Sequence, residues 1–402
     1  MRVLIVGSGA REHALAWRIA QSPRLTELHA APGNPGIATL GACHPVRPGD
    51  QEGLLGLCST LAIDLVVIGP EAPLVAGVGD ELRHAGVAVF GPGRAAARIE
   101  GSKTYAKEVL AAANVPAART MRDAQAPCVV KVDGLAAGKG VFVCRSDEDV
   151  EAALASAAGI GGPLVIEELL EGEEVSLFAL SDGRDAVPFG AAQDFKRVGE
   201  GNVGPNTGGM GAYSPVPWLA DAEALVDDVH RPVIEELARR GTPFIGCLFA
   251  GLMITDDGPR VLEFNARFGD PETQVLMPRV EGDLLELLAA AATGELTGVE
   301  TSLRCDAAVT VVLAAPGYPD RSDSAGAAID GVDAAEDTGA LVFHGATALR
   351  DGRLVTNGGR ILSVTALGES VQHARERAYG AVDRVTFDGA RFRRDIAAVA
   401  GG

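Results

Sequence analysis

No C-x-x-C pair occurs in this chain of 402 residues, and no apolar run approaches the ~18 residues that a membrane-spanning helix needs. The six cysteines (43, 58, 128, 144, 247 and 305) sit mostly in apolar runs such as Pro127-Cys128-Val129-Val130. Reduced, buried thiols are therefore expected rather than a disulfide framework. Positive charge is also short. Lys and Arg number 35 against 54 Asp and Glu, a net charge of −19. A field of that sign repels nucleic acid and anionic membranes, so neither is expected as a partner. Any phosphate ligand must be held by local lysines, arginines and backbone N–H groups. The opening MRVLIVGSGA has no leader-cleavage pattern and reads as a strand, so a cytoplasmic protein is expected. Aromatics make up only 4%, whereas 51 glycines point to many tight turns and close backbone approaches.

The first hundred residues alternate short apolar runs with helical patterns. The runs 3–6, 28–31, 64–68 and 87–90 each end in a Gly/Pro-rich loop. This pattern predicts a doubly wound parallel sheet whose ligand loops share the carboxyl edge. Ser102 reads as the cap of a helix running to about 113. Strands are expected at 128–132, 141–144 and 164–168, with a helix near 147–158 between the last two. The segment 194–215 reads as a long functional loop. A helix over about 222–240 and a hairpin turning at Asp256-Asp257-Gly258 follow, then a helix near 284–292. Beyond about 305 the pattern is β-rich, with a turn at Asn357-Gly358-Gly359.

Five constellations carry chemistry. Gly7-Ser8-Gly9-Ala10-Arg11-Glu12 opens like a dinucleotide fingerprint, but Glu12 replaces the last glycine. A tight strand-to-helix turn and a phosphate seat at a helix N-terminus both fit it. Lys131 ends an apolar strand before the glycine loop Gly134–Gly140, which also carries Lys139. Glycine N–H groups and two lysines suit a polyphosphate. The acidic run 167–174 follows a strand end. Glu263 and Asn265 share one face of a strand and offer two hard oxygen ligands, as an ordinary amphipathic edge strand also would. Gln193-Asp194-Phe195-Lys196-Arg197 leads into a glycine-rich stretch that could close over a ligand.

Taken in order, GSGAREHAL, APGNPG at 31–36, GPEAPL at 69–74, EGSK at 100–103, VVKVDGLAAGKGV at 129–141, EELLEGEEVS at 167–176, GPNTGGMGAYSP at 204–215 and EFNARFGDPETQ at 263–274 resemble the ATP-grasp superfamily. Within it they resemble the glycinamide ribonucleotide synthetases, over nearly the whole chain. The resemblance implies ATP-dependent joining of glycine to 5-phosphoribosylamine in purine biosynthesis, through a glycyl phosphate, with Mg²⁺ or Mn²⁺. It implies an N-terminal sugar-binding domain (1–101), an ATP-grasp domain (102–315, lid about 119–180) and a C-terminal domain (316–402). By the same resemblance, ATP would meet Lys103, Lys131, Gly134, Gly138, Lys139, Gly140, Glu167, Glu168, Leu170 and Glu174, and the cation Glu263 and Asn265. Gly9, Arg11, Glu12, Asn34, Gly36, Gly69, Pro70, Glu71 and Arg360 would serve phosphoribosylamine. Asp194, Lys196, Thr207, Gly208, Gly209, Met210, Arg267 and Gly269 would line the substrate side, with the glycine carboxylate near Arg267. Lys131, Arg267 and Asp270 would be catalytic. A transient contact with the preceding purine-pathway amidotransferase is a further expectation.

The chain departs from the family pattern at Ala10, at Phe195 (His is common there) and at Asn202 (often Asp). It has no acid in 249–254, the strand before Glu263. Three alternatives stand beside this reading: another ATP-grasp ligase or biotin carboxylase, a nucleotide-binding oxidoreductase module, and an ATP-binding protein without catalysis.

Overall fold

The structure is a computed structural model that describes residues 1–135, 140–322 and 324–398. Its first hundred residues form a parallel sheet of five strands: β1 (Arg2–Gly7), β2 (Glu27–Pro32), β3 (Ala42–Cys43), β4 (Leu65–Ile68) and β5 (Ala88–Phe90). The order is β3-β2-β1-β4-β5, so the chain reverses direction across the sheet beside β1. At such a switch point the strand-end loops splay apart and leave a crevice for a ligand. The loops at 7–9, 32–36, 69–71 and 91–93 all lie on that edge.

Next comes a small antiparallel sheet, ordered β7-β6-β8, of β6 (Cys128–Val132), β7 (Val141–Cys144) and β8 (Leu164–Glu168). The helix Asp147–Ile160 covers it, held at its start by a capping box at Ser146. This unit packs around its own cluster of Cys128, Val130, Cys144, Val150 and Ala153. The lid range expected, about 119–180, also takes in β9 (Glu173–Asp182), which runs in the main sheet.

That main sheet adds β10 (Ala186–Asp194) to β9. A ribbon of β11 (Arg197–Gly199) and β12 (Val203–Asn206) leads to β13 (Gly211–Ser214), and the hairpin β14 (Ile245–Thr255) and β15 (Gly258–Asn265) follows. The C-terminal part supplies β16 (Ala307–Ala314), β17 (Ala325–Ala328), β18 (Leu341–His344), β19 (Thr347–Arg350), β20 (Arg353–Asn357) and β21 (Arg360–Gly368). Eight strands line up as β15-β14-β9-β10-β13-β16-β21-β18, one antiparallel sheet running from the core into the C-terminal part, where β17, β20 and β19 form a separate small sheet. The expected loop 194–215 is therefore mostly strand. Its last strand, β13, is fully buried between β10 and β16. Gly211 hid that strand from the sequence pattern, and it has a steric reason. A Cβ there would lie 2.6 Å from the Thr310 carbonyl oxygen. The helix expected over 222–240 is interrupted by a π turn at Val226–His230, just before Pro232, whose ring nitrogen has no hydrogen to donate.

The N-terminal and C-terminal parts are stitched together beside β18. Asn34 Nδ2 donates to the Ser8 carbonyl at 2.9 Å and to the His344 carbonyl at 2.7 Å. The His344 N–H donates to His13 Nδ1 at 2.9 Å. His13 must therefore be neutral, and burial with His344 alongside pushes it down to about 3. Burial pushes His344 down to about 4. An unfolded histidine, ordinarily near 6.5, takes its proton first as pH falls. The stabilisation is complete above about 6.5 and drains away toward the folded values near 3 and 4. Denaturant midpoints should fall as pH drops from 6.5 toward 4, and less steeply in His13→Asn, whose Oδ1 keeps the acceptor without the titration. Parallel slopes would refute this role for His13.

Candidate active site

Three facing structures build the site: the carboxyl edge of the parallel sheet, the lid sheet, and the face of the main sheet carrying Glu263. The first holds Glu12, whose Oε2 accepts the Gly9 N–H at 2.6 Å while Oε1 pairs with Arg11 Nε at 2.6 Å. A Cβ on Gly69 would lie 2.0 Å from Oε1, so Gly69 exists to let this carboxylate in. The Gly9 N–H at the helix start is thus taken by the chain's own carboxylate. Arg11 is buried, on Glu12 and the Phe268 carbonyl (3.2 Å), and is not free for a phosphate. Gly36 likewise is a packing residue: a Cβ there would lie 2.2 Å from His13 Cε1. Pro70 caps the short helix that Glu71 begins.

Between this edge and the C-terminal part lies a cavity of about 530 Å³. It brings together Gly9, Asn34 and Arg360, which the sequence assigned to phosphoribosylamine, and Asp270, which it assigned to catalysis, with Ser8, Thr347, Asn357 and Ser363, which it assigned to neither. Arg360 Nη2 lies 3.2 Å from Asp270 Oδ2, and Nη1 donates to the Asp270 and Gly208 carbonyls at 2.7 and 2.5 Å. Burial works to raise the Asp270 carboxyl, but Arg360 and Arg11 outweigh it and hold it below its ordinary value.

On the lid side, Lys131 Nζ lies 2.6 Å from Glu167 Oε2 and donates to the Leu262 carbonyl at 2.8 Å. Lys107, missed by the sequence reading, takes the other oxygen of Glu167 at 2.5 Å. Glu167 is 2% exposed, and its side chain is the shared counter-ion of the two lysines. Lys103 Nζ donates to the Gly134 carbonyl at 3.0 Å. Asp133, also missed, receives the Lys103 N–H (2.6 Å) and the Thr104 hydroxyl (2.7 Å), tying the glycine loop to the helix Lys103–Ala112. The Gly140 carbonyl closes β6 by accepting the Val132 N–H at 2.8 Å. Gly138 and Lys139 lie outside the described residues. Glu168 and Leu170 border a second cavity of about 640 Å³, beside Arg145 and Arg260.

On the main sheet, burial would push the Glu263 carboxyl up, yet Lys196, Lys131, Lys103 and Arg267 together hold it below its ordinary value. Lys196 pairs with Glu174, so Glu174 is engaged by a lysine where a ribose contact was expected. Asp194 is pushed up to about 8 by burial, with Glu272 and Glu174 adding to it against the pull of Lys196. Glu272 is also raised by burial, and it folds beneath Gly269, where a Cβ would lie 2.4 Å from its Oε2. Two crowded acids of this kind would gain from a cationic ligand.

The stretch 207–210 is tied down by its own backbone N–H groups. The Gly208 N–H donates to the Tyr318 hydroxyl, the Gly209 N–H to Thr207 Oγ1 (both 2.9 Å) and the Met210 N–H to the Phe195 carbonyl at 2.8 Å. These donors are engaged within the protein. Arg267 too is engaged, by Glu71, Glu100 and Asn265, which leaves it a poor receptor for a further carboxylate. Phe195 and Asn202, the two departures from the family pattern in this segment, meet at Arg393. Its guanidinium lies 5.1 Å from the Phe195 ring centre and 3.3 Å from Asn202 Oδ1, and it is gripped by both oxygens of Asp395 at 2.7 Å.

Among the described residues no cluster of three or more His, Cys, Asp or Glu side chains could hold a metal ion. Glu263 and Asn265 fit a cation only as a partial oxygen set completed by phosphate and water, which is how Mg²⁺ is commonly held beside a nucleotide. No described helix is long and apolar enough to cross a membrane.

Comparison with known proteins places the whole chain in one family. Residues 1–100, 101–273 and 308–399 match the N, ATP-grasp (A) and C domains of phosphoribosylglycinamide synthetase. Phosphoribosylamine–glycine ligase of Streptomyces coelicolor is 51% identical over 420 residues, covering all of both chains. That of Mesorhizobium japonicum is 49% identical over 415 residues, covering 98% of this chain and 97% of the relative. The crystal structure of the Thermotoga maritima ligase superposes with a TM-score of 0.83 at 34% identity, covering 99% of this chain and 100% of that one. A biotin carboxylase domain from Hydrogenobacter thermophilus, at 16% identity, a TM-score of 0.69 and coverage of 97% and 91%, shares the fold alone. The chain belongs to the phosphoribosylglycinamide synthetase family.

Proposed function

We propose that this protein is an ATP-dependent ligase that joins glycine to 5-phosphoribosylamine, giving glycinamide ribonucleotide, ADP and phosphate in purine biosynthesis. The observation that carries this reading is the convergence of Lys103, Lys131 and Lys196 on Glu263, in a chain that also holds a sugar-sized cavity lined by Asp270 and Arg360. The triphosphate would lie against Lys103 and Lys131 under the loop at 134–140, with the base along 168–170. Mg²⁺ or Mn²⁺ at Glu263 and Asn265 would neutralise charge on the transferring phosphoryl group. The phosphoribosyl group would enter the 530 Å³ cavity, its phosphate toward Arg360 and its amine toward Asp270.

We place the ammonium of glycine against Asp194 and Glu272, where a cation relieves two crowded acids, and its carboxylate toward Lys196. A glycine oxygen then attacks the γ-phosphorus and ADP leaves. The sugar amine attacks the acyl carbon, loses a proton, and phosphate departs. No protein nucleophile is required. Because an acyl phosphate hydrolyses readily, the lid must exclude water during the second step.

With phosphoribosylamine formed in situ from ribose 5-phosphate and ammonia, ADP release should depend strictly on glycine, and glycinamide ribonucleotide should be seen by mass. Lys131→Ala or Glu263→Ala should each lower turnover by ~10²–10³-fold. Near-normal turnover in either would remove that residue from the site. Asp194→Asn should raise KM for glycine by roughly 10–100-fold, the value of a buried charge-assisted hydrogen bond. An unchanged KM for glycine would move the ammonium elsewhere.

A further inference from the structure

Arg267 joins three elements through contacts that the proposed reaction does not use. Its Nε lies 3.2 Å from Glu71 Oε2, and its Nη2 lies 3.0 Å from Glu100 Oε1 and donates to Asn265 Oδ1 at 3.0 Å. The second oxygen of Glu100 accepts the Ala266 N–H at 2.7 Å. Glu100 comes from the helix Arg94–Gly101, and its side chain is only 8% exposed. One buried carboxylate therefore grips both the backbone just beyond Asn265 and the guanidinium that touches the Asn265 amide.

Asn265 is the last residue of β15, so strand pairing ceases at the position where orientation matters. An asparagine amide can turn either its oxygen or its NH₂ toward a neighbour. A guanidinium only donates, so Arg267 forces the oxygen side inward. The carbonyl oxygen has two lone pairs: one receives Arg267, and the other remains for a cation. The amide left to itself would pay no such penalty for flipping, and a flipped amide would present hydrogens to a metal ion.

We infer that Glu100 is a positioning residue for the divalent cation: through Arg267 and the Ala266 N–H it fixes Asn265 with its oxygen toward the site. The inference rests on the reading that Glu263 and Asn265 bind that cation. Glu71 holds the guanidinium at Nε, so the N-terminal domain shapes the cation site without touching it.

The test is Mn²⁺ affinity of the full-length chain with ADP, read as loss of the free-Mn²⁺ electron paramagnetic resonance signal. Glu100→Gln should weaken Mn²⁺ binding about 10–100-fold, as loss of an outer-shell partner does. Arg267→Lys, which keeps the charge and loses the planar fork, should weaken it similarly. Glu263→Gln and Asn265→Ala test the underlying reading. If neither weakens Mn²⁺ binding, the cation lies elsewhere. If they do while Glu100→Gln binds Mn²⁺ like the wild type, Glu100 is only a structural ion-pair partner and the inference is overturned, whatever Arg267→Lys does. Should Glu100→Gln fail to fold, Glu100→Asp, which keeps the charge but shortens the reach to Arg267 and the Ala266 N–H, decides between these outcomes.

Discussion

A chain with a net charge of −19 can hold a triphosphate only where its cations are gathered and their charge is not fully cancelled. The structure meets this constraint by sharing counter-ions. Glu167 serves Lys107 and Lys131 together, leaving one positive charge over, and Lys103 is satisfied by a neutral carbonyl. Burial keeps these charges from being screened, which strengthens them toward a ligand and makes any unpaired one costly. The same logic places Glu263 where four cations can keep it ionised despite burial.

The domains follow from this arrangement. Cations come from the helix after the parallel sheet, from the lid and from the main sheet, so no one of them is a site alone. The junctions that register them are polar. Arg267 binds the N-terminal loops to β15, Asn34 and His13 bind them to β18, and Arg360 reaches from the C-terminal part to Asp270 and Gly208. The lid has its own small core and meets the body through Asp133 and the lysines. That combination suits a cover that must both admit ATP and shut out water.

Much of this was legible in the sequence. The lid strands Cys128–Val132, Val141–Cys144 and Leu164–Glu168 stand where apolar runs between glycines put them, because local hydrophobic patterning decides short strands. The ordered motifs identified the family. What stayed hidden depends on distant pairs. Glu100 and Ala266 are 166 positions apart, and nothing in EGSK alone shows that its glutamate crosses to β15. Thr347 and Ser363 carry no motif, and Asn357 reads only as a turn residue; they reach the cavity through the small and long sheets of the C-terminal part. Glu12 was noticed as a break in a fingerprint, but its meaning (a carboxylate filling the anion's place) requires Gly69 to be brought beside it. The stretch 194–215 misled because glycine at a crowded strand crossing resembles glycine in a loop.

The central claim is that glycine itself is phosphorylated before the amine attacks. Glycine labelled with ¹⁸O in both carboxylate oxygens, carried through one turnover with ATP and phosphoribosylamine, tests it directly. Inorganic phosphate containing one ¹⁸O, with the other label retained in the amide product, is the expected result. Phosphate free of label would contradict a glycyl phosphate and require the γ-phosphoryl group to leave by another route.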